Sequence, residues 1–241
     1  TIAVDGSSQL LATGETGGGT IAVGGSWQNS DASVRQATTT RVDAGAVIDA
    51  SATGRGDGGE IVVWSDISAS DSMTDVGGTF LATGGPKGGD GGRIETSGAT
   101  LSLAPELKID ASAFDGEAGL WLQDPFNYVI DSPEAGTIES SLNGGTNVTI
   151  STAVNDPAGG STGSGVGNIS LNHPIEKTSG SPVTLTFEAD NDVALNESIA
   201  SSPPASFSFS ATLLMASISL TSFLAISKSL AVSGASPPEP A

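Results

Sequence analysis

The chain has 241 residues and 37% apolar content, enough for one large domain or two small ones with a buried core. It carries 33 glycines, one histidine and no cysteine, which excludes a disulfide framework, a thiol-held zinc or iron site, a metal site built on histidines and a coiled coil. A net charge of −19, from 27 acids against 8 bases, repels a phosphate backbone and argues against nucleic acid as a partner.

Charge splits the chain in two. Residues 1–200 hold every acid but Glu239 and every base but Lys228, and residues 201–241 are otherwise uncharged. The start at Thr1 reads as that of a fragment or a processed piece, so the lack of a signal peptide carries no weight.

The first part repeats. One unit is a double glycine followed by an alternating strand: Gly18-Gly19-Thr20-Ile21-Ala22-Val23, Gly58-Gly59-Glu60-Ile61-Val62-Val63-Trp64, Gly91-Gly92-Arg93-Ile94-Glu95, and a degenerate Gly119-Leu120-Trp121-Leu122. Each follows a second short strand ending in small residues, at 10–14, 47–52, 80–84 and 108–113. A different pair closes this part, Asn168 to Asn172 and Asp192 to Asn196. Apolar residues fall at every second position, the period of a strand with one buried face, and no stretch here carries a helical period. Such a unit cannot bury its apolar face alone, and stacking on the next unit at about 4.8 Å buries it. The expected fold is therefore all-β: a right-handed parallel β-helix (β-solenoid) with glycine-rich turns over residues 1–200, its loops at 26–41, 66–76 and 151–165. An antiparallel sandwich is the second choice, because the repeated element is strand–GG–strand rather than a hairpin.

Taken in order, Ile48-Asp49-Ala50-Ser51-Ala52, Gly56-Asp57-Gly58-Gly59-Glu60-Ile61-Val62-Val63-Trp64, Phe80-Leu81-Ala82-Thr83-Gly84-Gly85 and Gly119-Leu120-Trp121-Leu122-Gln123-Asp124-Pro125-Phe126-Asn127 resemble the filamentous-haemagglutinin-like exoproteins of two-partner secretion systems. The resemblance covers about residues 1–200. It implies a secreted or bacterial cell-surface adhesin, associated with the outer membrane, whose β-helical stalk is exported unfolded through a dedicated outer-membrane barrel. The implied partners are that transporter, through an amino-terminal module with Asn-Pro-Asn motifs that these residues do not contain, and a glycan or protein receptor. The lack of cysteine fits export of an unfolded chain.

Several motifs invite chemistry. Gly-Asp-Gly-Gly at 56–59 and 89–92 is similar to calcium-binding glycine–aspartate repeats, but copies 33 residues apart offer one carboxylate each, and we read them as turns. Arg55-Gly56-Asp57 matches an integrin tripeptide, and its loop needs the same residues for its turn. Asp49 and Asp110 hold equivalent repeat positions and could stack as an acid pair, yet Arg41, Arg55 and Arg93 do not cluster beside them as polysaccharide cleavage requires. His173 reads as a surface residue, and Trp27, Trp64 and Trp121 as core or edge packing rather than sugar platforms. Asn147, Asn168 and Asn196 head glycosylation sequons that matter only in a eukaryotic secretory pathway. No residue is assigned to catalysis, to a cofactor or to a metal. The expected function is structural and adhesive, the alternatives being a polysaccharide-active β-helix enzyme and a calcium-stabilised secreted passenger.

From Ser201 the grammar changes to Ser, Pro, Phe and Leu, and residues 201–241 are read as an irregular apolar tail. The uncharged stretch is long enough to consider a membrane span, but it is rich in serine and threonine and lacks a basic flank. A shifted reading frame is the preferred explanation.

Overall fold

The structure is a computed structural model that describes residues 1–69, 71–152, 167–202, 207–213, 218–220 and 230–234. Short strands recur mostly in sets of three, and most pair with the corresponding strand of the next set. One four-stranded sheet joins β1 (Ile2–Val4), β4 (Thr39–Val42), β7 (Met73–Val76) and β10 (Thr100–Leu103). A second joins β2 (Gln9–Leu11), β5 (Val47–Asp49), β8 (Thr79–Leu81) and β11 (Lys108–Asp110). The longest has eight strands: β3 (Thr20–Val23), β6 (Glu60–Trp64), β9 (Arg93–Ser97), β12 (Leu120–Asp124), β14 (Asn147–Ser151), β17 (Val183–Ala189), β20 (Phe207–Leu213) and β22 (Leu230–Gly234). Beyond β10, β13 (Tyr128–Ile130), β15 (Asn168–Leu171), β18 (Asp192–Leu195) and β21 (Ile218–Leu220) form a fourth sheet, and β16 (Ile175–Lys177) pairs with β19 (Ile199–Ser201).

Every described strand pair is parallel, so the antiparallel sandwich does not apply. Register is constant enough to line like side chains into columns. In the eight-stranded sheet Ile21, Ile61, Ile94, Trp121, Val148, Leu185 and Phe209 occupy one row. In the second sheet Leu10, Ile48, Phe80 and Ile109 do the same. These rows belong, with apolar residues of the first and fourth sheets, to one continuous apolar core.

Three expectations are corrected. Residues 26–41 and 66–76 are not wholly loops, since they contain the start of β4 and all of β7. Their alternation is carried by Thr40 and Thr74, buried through hydrogen bonds to Trp64 O and Ser97 O, so apolar periodicity does not mark them. The parallel sheets agree with the expected all-β class, but the expectation that no stretch is helical is overturned by α1 (Ser132–Gly144), which packs between β11 and β16 where a strand of the second sheet would otherwise fall. Ala135, Ile138 and Leu142 line its buried face, Pro133 sits in its first turn, and Gly145 ends it in the left-handed conformation. Finally, residues expected as irregular tail form β20, β21 and β22, which continue the body's sheets. The loop at 151–165 lies, from 153 on, outside the described residues, as does much of the candidate membrane stretch. No described helix is long and apolar enough to cross a membrane.

Candidate functional site

The acids and glycines picked out from the sequence serve the stacking. Asp57 Oδ1 accepts the Asp90 N–H at 2.8 Å, and Asp90 Oδ1 accepts the Glu117 N–H at 2.8 Å, so the Gly-Asp-Gly-Gly carboxylates tie one turn to the next. Arg55 and Asp57 are both exposed in that turn. Asp49 and Asp110 share a column but do not meet, because Leu81 stands between them in register. Each instead accepts a backbone N–H two residues on, from Ser51 and Ser112. Among the described residues no group of three or more acids or histidines comes together that could hold a metal ion. His173 is half-buried and its Nδ1 lies 3.1 Å from the Pro174 carbonyl. Trp64 and Trp121 are buried, whereas Trp27 is half-exposed. The sequon asparagines form side-chain bridges between turns: Asn191 donates to Asn168, Asn196 donates to Asn172, and Asn147 donates to Ala118 O while accepting from the Thr184 N–H.

The chemically distinctive place is the outer face of the eight-stranded sheet under the segment 24–38, which links β3 to β4. Val62, Trp64 and Ile67 form a small second cluster there, packed by Trp27 and Phe126. The segment leaves β3 along the Trp64 ring, which a side chain at Gly25 would strike at 2.2 Å. The Trp64 indole N–H donates to Gln36 Oε1 at 2.8 Å, and the Asp66 N–H donates to Ala37 O at 2.7 Å. At its tip the Gln28 N–H donates to Glu95 Oε2 at 2.8 Å, and the Ser97 hydroxyl donates to Glu95 Oε1 at 2.9 Å. Gln28 and Asn29 take φ of 44° and 51°, the left-handed region that costs a non-glycine residue about 1–3 kcal/mol.

Glu95 is fully buried in this face. Burial pushes its carboxyl up to about 7, against the lowering effect of its two hydrogen bonds and the Arg93 charge. Arg93 pairs with Glu60 and stacks over the Trp27 ring at 4.4 Å. On the next strand Asp124 is 3% exposed, and burial, then the charges of Glu95 and Glu188, hold its carboxyl well above the usual carboxylate range. The two buried carboxyls, both raised by burial, lie on the face that the segment 24–38 crosses. Sequence reasoning placed Glu95 in a strand but gave it no role. The only local signal was an acid following Val62 in the same outward column of a repeat.

No family model matches the chain, and no curated protein matches it.

Proposed function

We propose that residues 1–200 wind as a right-handed parallel β-helix and that the chain is a segment of a secreted, filamentous-haemagglutinin-like surface adhesin. The observation that carries this reading is the pairing of each strand with its counterpart one repeat on, always parallel, over three sheets at once. Inter-repeat bonds that involve backbone, aspartate and asparagine then make a stiff support whose exposed turns are free to meet a receptor. The role is structural and adhesive, and no residue performs catalysis or takes a cofactor. A two-partner-secretion barrel in the outer membrane exports the whole protein to the cell surface or beyond, engaging a module outside residues 1–241. The receptor is a glycan or protein on a host cell or another surface. The chain's acidity suits an exposed soluble surface.

The test is attachment. Surfaces coated with the purified chain are expected to hold host cells or erythrocytes above the level of surfaces coated with the same chain unfolded in urea. Equal attachment to both coatings ends the adhesive reading. Release of shortened products from acidic polysaccharides would end the non-catalytic one.

A further inference from the structure

Early in the chain, one set of strands meets the next in all three sheets at once. β4, β5 and β6 pair with β7, β8 and β9, so a ladder of hydrogen bonds runs across each sheet. After β11 that rule breaks. The first sheet ends at β10 and the second at β11, the fourth sheet begins at β13, and the pair of β16 with β19 stands apart from both. Among the described residues, the pairing of β9 with β12 is the one strand ladder that crosses the break.

Little replaces the missing ladders. The Ala50 and Ala82 N–H groups donate to Leu81 O and Asp110 O of the next set, whereas the corresponding Ala111 N–H meets a side chain, Thr146 Oγ1, at 2.9 Å. Helix α1 packs against β11, but its hydrogen bonds go the other way. Glu139 Oε1 accepts the Glu176 N–H, Asn143 Oδ1 accepts those of Thr178 and Ser179, and Leu142 O accepts from the Lys177 ammonium. The helix thus belongs with the strands that follow it. The break also falls where the core is poorly satisfied. Gln123 is fully buried in a row with Val63, Thr96 and Ile150, and neither end of its amide has a hydrogen-bond partner among the described residues. The buried Tyr128 hydroxyl at the start of β13 lacks one too.

In a stack of repeats, stability is a sum over each repeat and its contacts with the next, so cooperativity fails where those contacts thin. We infer that the chain is jointed after β11: β1 to β11 form one unit, α1 and β13 to β20 form a second, and each opens while the other stays folded. The pairing of β9 with β12 holds the two together. The unpartnered amide and hydroxyl weaken the folded state at the joint, where the ladders are already lost.

Native-state hydrogen exchange of the whole chain, read by mass spectrometry at rising urea below the unfolding midpoint, tests the joint. Amides of β5, β6 and β8 are expected to share one opening equilibrium, and those of β15, β17 and β18 another with a different urea dependence. A single opening equilibrium for both groups overturns the proposal. Phe187→Ala, in the core on β17, is expected to raise opening of the second group by roughly 100-fold or more and to leave the first unchanged. An equal rise in both groups overturns it as well. Should Phe187→Ala fail to fold, Phe187→Leu gives the same comparison, with a smaller rise expected in the second group alone.

Discussion

A methyl group at Gly91 would lie 1.9 Å from the Ala111 carbonyl oxygen, and one at Gly58 would lie 2.0 Å from that of Ala82. These glycines let the second and third strands of a repeat turn against the next repeat, and any side chain would push the two backbones apart. Gly91→Ala is expected to cost about 1–3 kcal/mol by overpacking. Gly136 meets nothing within 4 Å and lies inside α1, so Gly136→Ala is expected to stabilise by about 0.5–1 kcal/mol. Urea unfolding of the two variants should move the midpoint in opposite directions. Lys177 is buried, and its ammonium donates to Leu142 O at the end of α1 and to Ser179 O. Lys177→Met should cost about 1–3 kcal/mol in the same assay, because the carbonyls of Leu142 and Ser179 lose the ammonium donor. At Glu95 the folded-state value lies above the unfolded one, so its contribution to stability is complete below pH 4.5 and is lost as pH rises to about 7. Glu95→Gln is accordingly expected to melt above the unsubstituted chain at pH 8, by up to about 3 kcal/mol, and to show no such gain at pH 4.

Three kinds of element show where local pattern succeeds and where it fails. The strands after each double glycine fall where the pattern places them, because Ile61-Val62-Val63, or Ile94 between Arg93 and Glu95 after a glycine pair, reads as strand whatever lies above it. Helix α1 escaped notice because Thr137 and Ser141 share its buried face with Ala135, Ile138 and Leu142 and blur the apolar 3.6-residue period. Its signals were nevertheless present: Pro133 and Glu134 in the first turn, Ala135, Ile138 and Leu142 spaced three and four apart, and a glycine beyond the end. All three of those side chains are fully buried, so Ile138→Ala should cost about 2–5 kcal/mol, measured by thermal or urea unfolding. Strands β4 and β7 went unread for a different reason. Their inward threonines are made compatible with burial only by hydrogen bonds to backbone carbonyls of other strands.

For the whole molecule, a charge of −19 on one chain repels itself, and salt screens that repulsion. Raising sodium chloride from 0.01 M to 0.5 M is expected to raise the melting temperature at pH 7, and a fall would show that the few ion pairs, such as Arg93 with Glu60, outweigh the general repulsion. What the amino-acid order determined by itself was local and repetitive: period-2 strands, glycines at the tight corners, and hence parallel stacking of one repeat on the next. These depend on each residue and its near neighbours, so they can be read without knowing the fold. The tertiary structure alone decided which acid is buried, where the helix replaces a strand, and that residues 207–213 join the sheet. Burial depends on what lies on top. Burial pushes the Glu95 carboxyl up to about 7, and its contact with Gln28, 67 residues earlier in the chain, is recorded in no local pattern around Glu95.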